Sequence, residues 1–290
     1  MVDDSRAREW VADVCGEAIL SATRASSSPA SIIDLLQLAS GRTVVLRRVP
    51  ERLEVANHDP AREIRAEGAA LELLNGRYWA PVVLASDPDG VNCGAAASIQ
   101  TLIPGQPQVL TNPRWLDVLE TALRAVAGAH VDASELAPFT PWLDGDPKPP
   151  MWTARPARWL HAAEHLEGWA PAGNVLVHRD LHPGNVLIES DELGGIIDWV
   201  HACRGPIEAD ISRCCVEVAV IAGPDAEREL HGRCADLTAD YDPRWDLLVA
   251  AELAPWAATL LGFNAVGARL DLATIHERLD DIVDTALTRL

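Results

Sequence analysis

The chain has 290 residues and a formal net charge of −19, with 48% hydrophobic and 23% charged residues. This composition is ordinary for a globular protein and excludes an intrinsically disordered chain. The negative charge repels phosphate backbones, so nucleic acid is not expected as a partner, whereas cationic small molecules are favoured. No continuous apolar run reaches the ~18–20 residues of a membrane span and no apolar signal core is visible, so we expect no membrane partner and a cytoplasmic location.

The N-terminal segment predicts a helix followed by a hairpin. Apolar side chains recur at helical spacing from Asp3 to about Leu20, and a segment rich in serine and small residues follows at 22–31. The next two runs, at 31–38 and 42–49, are short and rich in apolar residues, and a Gly-containing turn separates them. This pattern is typical of two antiparallel strands.

A second helix and two further strands complete the first hundred residues. Pro60 is a favoured first residue of a helix, and the apolar pattern behind it ends near Gly76. Two short apolar runs then occupy 81–85 and 98–103, and Pro104-Gly105 ends the second of them. We therefore place a domain boundary after residue 104.

The remainder of the chain is predicted to be mainly helical. Helical patterns cover 113–130 and 158–168, and a Pro-rich irregular segment separates them. Short buried strands are predicted within 174–200, around a polar turn, and helices dominate from Glu208 to the end. The predicted domains are therefore residues 1–104 and residues 105–290.

The polar turn carries the strongest chemical signal of the chain. It reads His178-Arg179-Asp180-Leu181-His182-Pro183-Gly184-Asn185, and Asp198 follows thirteen residues later at the end of another apolar run. The spacing His-x-Asp-x4-Asn followed by a strand-end aspartate is typical of phosphoryl transfer. Asp180 is predicted to accept or orient the proton of an attacking hydroxyl group. Asn185 and Asp198 are predicted to hold Mg²⁺, which prefers oxygen ligands.

These residues resemble those of a known family. The run HRDLHPGNVLI followed by GIIDW is similar to the aminoglycoside phosphotransferase and choline kinase-like family, although Arg179 stands where members often have glycine. The resemblance implies an α+β, two-lobed, protein-kinase-like fold. Its N-lobe would be a small antiparallel five-stranded sheet that binds nucleotide, and its larger, mainly helical C-lobe would carry the catalytic and acceptor-binding residues.

The resemblance also implies an ion pair beside the nucleotide phosphates. The family normally has a lysine at the end of the third strand, but the only lysine of this chain is Lys148, so Arg47 or Arg48 must serve. Strand alternation favours Arg47. The partner on the following helix is expected to be Glu67, with Glu63 one turn earlier as the alternative.

Further nucleotide contacts follow from the same resemblance. The loop that covers the phosphates would lie at 25–31, where the hydroxyl and N–H groups of Ser27 and Ser28 replace the usual glycines. The hinge between the lobes would lie at 98–105, and the backbone at Gln100 and Leu102 would bind the purine. Both ATP and GTP are used in the family, so the resemblance does not choose between them as the co-substrate.

Three residues are expected to support the polar turn. Asp210 follows Gly205-Pro206 as in the family's Gly-Asp-Pro-x3-Asp element, and it would brace the loop. His178 belongs to the His-x-Asp motif. His182 is expected to position the loop or to line the substrate cleft.

The resulting hypothesis is an antibiotic-resistance kinase that moves the γ-phosphoryl group of ATP or GTP to a hydroxyl of a small, cationic acceptor. An aminoglycoside is expected first because the chain is acidic. A macrolide, or a metabolic acceptor such as choline, a sugar or an amino alcohol, is the alternative, and a nucleotide-binding pseudokinase scaffold is the non-enzymatic one. Carboxylates of the last helices beside large aromatic residues suit such acceptors, but the sequence marks none of them as a specificity residue. The aromatic residues are Trp142, Trp152, Trp159 and Trp256.

Overall fold

The computed structural model describes most of the chain, namely residues 4–27, 31–51, 59–143, 145 and 147–290. The chain divides into two compact units. The first comprises Met1–Pro104 and Gly195–Ala202, and the second comprises Gly105–Gly194 and Cys203–Leu290. The two units also meet in the sequence at residue 104, where the boundary was predicted. The segment 195–202 differs from the prediction, because it belongs to the first unit and was placed in the second.

The first unit is built on an antiparallel sheet with the strand order β1-β2-β3-β5-β4. The sheet confirms the five-stranded, antiparallel architecture that the family resemblance implies. The elements of this unit are α1 (Asp4–Cys15), β1 (Ile19–Ser27), β2 (Ile32–Leu38), β3 (Thr43–Val49), α2 (Pro60–Leu73), β4 (Val83–Asp87) and β5 (Ala96–Thr101).

The first helix is shorter than predicted, and a strand follows it where the sequence analysis placed the end of that helix and the Ser-rich segment. α1 ends at Cys15 because Gly16 adopts a left-handed backbone conformation with φ of 65°, which reverses the chain. β1 begins at Ile19 and runs through the Ser-rich segment as far as Ser27, paired with β2. Ladder hydrogen bonds thus override the weak strand preference of serine.

This extension of β1 corrects the predicted phosphate loop. Residues 25–27 belong to a strand, and Ser27 pairs with Ile32 at its end. Ser28 lies outside the described residues. The contact of Ser27 and Ser28 with phosphate stays a prediction.

One face of the sheet forms an apolar core against α1. Leu36 and Leu38 alternate along β2 and point to the same side, as strand geometry requires. They pack with Leu46 of β3 and with Trp10 and Val11 of α1 in one buried cluster. This core supports the strands from which the polar residues of the other face project.

The segment 195–202 is part of the first unit because it makes a hydrogen bond and an aromatic contact with that unit. The N–H of Ile196 donates to the carbonyl of Trp79 over 2.7 Å, and the Trp79 and Trp199 rings have centroids 6.0 Å apart. Trp199 is fully buried. These contacts fix the backbone around Asp198.

The rest of the chain is mainly helical. β6 pairs with β9 and β7 pairs with β8 in two small sheets. The elements are α3 (Trp115–Ala127), α4 (Pro156–Leu166), β6 (Val175–Val177), β7 (Val186–Glu189), β8 (Glu192–Ile196), β9 (Cys203–Gly205), α5 (Glu208–Ala222), α6 (Pro224–Arg233), α7 (Arg244–Leu253), α8 (Leu272–Arg289), and 3-10 helices at Trp199–His201, Ala235–Leu237 and Ala254–Val266.

One stretch of the described chain, Arg244–Val266, is long and apolar enough by length and composition to cross a membrane. It comprises α7 and the 3-10 helix behind it. Within its most apolar window, 61% is buried inside the protein. Such burial is typical of a core helix, so the stretch is weak evidence for a membrane span.

A cavity of about 260 Å³ lies between helices α5, α6, α7 and α8 of the second unit. Its lining combines apolar side chains such as Val216 with the carboxyl groups of Glu227 and Asp246. Burial raises the pKa of the Glu227 carboxyl to about 7, and the nearby Asp246 carboxylate adds to the rise. Glu227 therefore binds a proton more tightly in the folded protein than in the unfolded chain.

We expect this proton to make stability depend on pH. Because the folded pKa lies above the ordinary value of 4.5, stability is lost as the pH rises from that value through about 7. When the pH is raised from about 5 to about 8, the free energy of unfolding of the wild type should fall by about 1–2 kcal/mol more than that of Glu227→Gln, after allowance for the partial exposure of Glu227. Urea unfolding at both pH values measures this, with the exposed Glu229→Gln as control. Equal pH dependence of Glu227→Gln and the wild type would contradict the assignment.

Candidate functional site

Two consecutive arginines of β3 have different partners. The Nη1 of Arg47 donates to Oδ1 of Asp198 over 2.7 Å, and its Nε lies 3.5 Å from Oε2 of Glu67. Arg48 pairs instead with Asp34 of β2. Strand alternation sends the two side chains to opposite faces, and Arg47 is the one that contacts Glu67.

The partner glutamate is buried beneath the sheet. Glu67 of α2 is 2% exposed and accepts a hydrogen bond from Nε2 of Gln100 over 2.9 Å. Gln100 lies within β5, where it is paired with Val45 and Val83 on either side. The prediction used only its backbone, so the contribution of its side chain to the Arg47–Glu67 pair was missed.

Charges in this cluster shift the pKa of both partners. Burial by itself lowers the pKa of the Arg47 guanidinium, but the carboxylates of Glu67 and Asp198 outweigh it and raise the pKa. Burial raises the pKa of the Glu67 carboxyl, and Arg47 opposes the rise. Arg47 therefore remains positively charged at every physiological pH.

Asp198 and Leu102 are the remaining predicted residues of this unit. Asp198 has a left-handed backbone with φ of 67° and ψ of 57°, and its side chain is 37% exposed. The neighbouring Trp199 donates from Nε1 to the carbonyl of Ile196, which holds the turn. Leu102 follows β5 and is 44% exposed, so its backbone is not enclosed by the sheet.

In the second unit, the polar turn joins β6 to β7 and is held by Asp210. The N–H groups of His178 and Arg179 each donate to the Asp210 carboxylate over 2.8 Å. Asp210 is fully buried in the first turn of α5. Burial raises the pKa of Asp210 to about 7, although the two backbone hydrogen bonds oppose the rise. Asp210 thus accepts hydrogen bonds from the backbone of the turn, and its bracing role stays a prediction.

The two histidines stabilise the turn through its backbone. His178 is fully buried, and its Nδ1 accepts from the N–H of Asp180 over 3.3 Å. Nδ1 of His182 accepts from the N–H of Gly184 over 3.0 Å. Its Nε2 lies 3.7 Å from Oδ2 of Asp180, so the ring also faces the carboxylate.

Asn185 is oriented by the same turn. Its Nδ2 donates to the backbone carbonyl of Asp180 over 3.0 Å. This bond uses the amide nitrogen and leaves Oδ1 as the atom that can bind a cation. Asn185 is 8% exposed, so this orientation is enclosed by protein.

The carboxylate of Asp180 has a charged partner. Nη2 of Arg213 lies 2.8 Å from Oδ1 of Asp180 and equally 2.8 Å from Oε1 of Glu217, one turn further along α5. Glu217 is 1% exposed and its Oε2 lies 3.8 Å from Nδ1 of His182. Burial by itself lowers the pKa of Arg213, but Glu217 and Asp180 outweigh it and raise the pKa, so the guanidinium stays charged.

Asp180, His182 and Glu217 also meet the spacing of a metal site, because one ligand atom of each lies within 4.8 Å of the others. The Arg213 guanidinium already bridges the two carboxylates and supplies the positive charge there. We therefore assign this cluster to the positioning of Asp180 and not to a metal ion.

Comparison with known families decides the class of the protein. The family model described as the phosphotransferase enzyme family matches residues 35–248, which is more than half of the chain. The chain belongs to the phosphotransferase enzyme family. This confirms the resemblance inferred from the polar turn, and the matched range includes Arg47, the turn itself and Asp210. A search of curated proteins gives no match.

Solved structures share the fold of this phosphotransferase. Aminoglycoside phosphotransferase APH(4)-Ia is 18% identical, and the match covers 98% of this chain and 99% of that chain with a TM-score of 0.66. Choline kinase LicA from Streptococcus pneumoniae is 13% identical, with 97% and 99% coverage and a TM-score of 0.66. A thermostable mutant of APH(4)-Ia was solved with ADP and hygromycin B. These likenesses confirm the α+β, protein-kinase-like fold.

Sequence reasoning about this phosphotransferase missed Arg213 and Glu217. The signal that could have found them is their position in α5, where two charged residues at i and i+4 interrupt the mainly apolar stretch 211–222. A buried helix keeps opposite charges at this spacing when they pair with each other or with a third group. The third group, Asp180, is 33 positions away in the chain from Arg213 and could not be named from the pattern.

Proposed function

We propose that the protein transfers the γ-phosphoryl group of ATP or GTP to a hydroxyl group of a small molecule. The observation that carries this proposal is the ordered turn at 178–185, in which Asp180 is held by Arg213 and Asn185 by the Asp180 carbonyl. A fixed carboxylate that receives a hydroxyl proton, next to an amide oxygen free for a cation, is what phosphoryl transfer requires. Family membership supports the same reaction class.

In this proposal Asp180 orients the acceptor hydroxyl and accepts its proton. Its carboxylate is 19% exposed, so one edge can reach a bound molecule while Arg213 holds the other edge. Restricting the rotation of the carboxylate keeps the hydroxyl in line with the phosphorus atom. The Arg213 guanidinium also places a positive charge 2.8 Å from the carboxylate that would accept this hydrogen bond.

The donor atoms of Asn185 and Asp198 fit Mg²⁺. Oδ1 of Asn185 is left for a cation by the bond from Nδ2, and Asp198 presents a carboxylate that is partly exposed. Both are hard oxygen ligands of the kind that Mg²⁺ selects. When bound, the ion would neutralise negative charge on the phosphate oxygens.

The nucleotide is proposed to bind through residues of the first unit. Arg47, kept cationic by Glu67, would pair with phosphate oxygens, and its fork geometry differs from the point charge of a lysine. Ser27 and Ser28 are proposed to cover the phosphates. The backbone at Gln100 and Leu102 is proposed to bind the purine edge.

The acceptor is proposed to be an antibiotic-like molecule, with an aminoglycoside first. The net charge of −19 supports a cationic acceptor. A macrolide or a metabolic acceptor such as choline, a sugar or an amino alcohol is the alternative. A resistance role and a cytoplasmic location, without nucleic acid or membrane as partner, belong to the same proposal.

A phosphate-transfer assay tests the proposal directly. Purified protein is mixed with Mg²⁺, with ATP or GTP, and with aminoglycosides, macrolides, sugars and choline in turn. We expect phosphorylation of at least one acceptor, lost when Mg²⁺ is removed by a chelator. Tight nucleotide binding without turnover of any acceptor would support a pseudokinase scaffold and reject the proposed reaction.

A further inference from the structure

Arg179 occupies a position that favours glycine. Its φ of 73° lies in the left-handed region, which is strained for a residue with a side chain. Its side chain is nevertheless only 3% exposed, with two guanidinium nitrogens 2.7 Å and 3.1 Å from the carboxylate of Glu252. The contacts of the Arg179 side chain therefore offset the strain of its backbone, and we ask what these contacts hold in place.

The Arg179 side chain ties the polar turn to the segment 139–142. Its Nη2 donates to the carbonyl of Thr140 over 3.1 Å, and its guanidinium lies 4.4 Å from the centroid of the Phe139 ring. Glu252 in turn accepts from the N–H of Trp142 over 2.7 Å. Backbone and side chain of this segment are therefore held against the turn that carries Asp180.

Trp142 is exposed although it is held in this way. Its side chain is 42% exposed, and the guanidinium of Arg179 lies 3.9 Å from the centroid of its ring. The guanidinium of Arg213 lies 5.7 Å from the same centroid and contacts Asp180. The Arg213 guanidinium therefore contacts the Asp180 carboxylate and also lies near the indole, which places Trp142 in the neighbourhood of Asp180.

We propose that Trp142 is the platform on which the acceptor rests, and that it binds an uncharged ring face such as that of a sugar or a macrocycle. The inference rests on the proposed phosphotransfer to a hydroxyl and adds the class of acceptor. An immobilised indole gives a large contact area at little entropic cost.

A matched pair of tryptophan variants tests the platform. Trp142→Ala should raise the KM for the acceptor at least about tenfold, whereas Trp142→Phe should restore most of the affinity because it keeps an aromatic face. The KM for the nucleotide and the melting temperature should stay close to those of the wild type. Trp256→Ala is the control, because this tryptophan is 67% exposed and lies outside the segment 139–142 that Arg179 holds.

Binding measurements separate this inference from the proposed reaction. Calorimetry with an aminoglycoside, a macrolide and choline is carried out on the wild type and on Trp142→Ala. Ring-bearing ligands that bind the wild type and are weakened by Trp142→Ala support the platform, even if none of them is phosphorylated and the proposed reaction fails. If both Trp142→Ala and Trp256→Ala turn over the acceptor with the same KM, Trp142 does not bind the acceptor, whereas the proposed phosphoryl transfer is unaffected. Choline as the only ligand bound also overturns the platform.

Discussion

Asp180→Ala is expected to lower turnover by about 10²–10⁴-fold, which is the usual contribution of a proton-accepting group. The carboxylate that orients the acceptor hydroxyl would be lost. Nucleotide affinity should change little, because the residues proposed to hold the phosphates lie in the other unit. The variant should fold, since Arg213 keeps Glu217 as its partner at 2.8 Å. Steady-state kinetics and nucleotide titration by calorimetry measure the two effects separately.

Two controls make the result specific to the chemistry of Asp180. Asp180→Asn preserves the volume and removes the charge, so its turnover should fall nearly as far as in the alanine variant. Asp225→Ala removes a carboxylate whose side chain is 92% exposed, and its turnover should equal that of the wild type. Unchanged turnover in Asp180→Ala, or an equal loss of nucleotide affinity, would contradict the role assigned to this residue.

Arg213→Met is expected to destabilise the protein by about 3–5 kcal/mol, because it leaves the charge of Glu217 buried without its partner. Glu217 is 1% exposed, so water cannot replace the guanidinium. Turnover should fall by about 10–100-fold as well, since Asp180 loses the contact that sets its orientation. Urea unfolding and the transfer assay report the two effects.

A double variant distinguishes the structural part of this effect from the positioning part. Arg213→Met with Glu217→Leu replaces the pair by apolar groups of similar volume, which is often neutral for stability. We therefore expect the double variant to recover most of the lost stability while its turnover stays low. Full recovery of turnover would show that Arg213 does not position Asp180, and a double variant as unstable as Arg213→Met would contradict the burial argument.

Much of the fold could be predicted because its signals are local. The apolar character of the short runs 31–38 and 42–49 depends on neighbouring residues only, and the structure has strands β2 and β3 there. The start of α2 at Pro60 is equally local, and Asp59 caps it by accepting from the N–H of Arg62. The end of the first helix was predicted too late, because Gly16 ends α1 in a left-handed conformation and the β1–β2 ladder, a contact between distant residues, holds Ile19 in a strand.

The candidate site divides in the same way. The sequence by itself determined the polar turn from His178 to Asn185, and with it the family and the reaction class, because those residues act within one short loop between two strands. Only the tertiary structure decided that the side chain of Gln100 bonds Glu67, that Arg213 holds Asp180, and that Trp142 rather than Trp256 lies against the Arg179 guanidinium. These contacts join side chains of elements that are far apart in the chain. Such long-range contacts produce no local pattern in the sequence, so they could not be predicted from it.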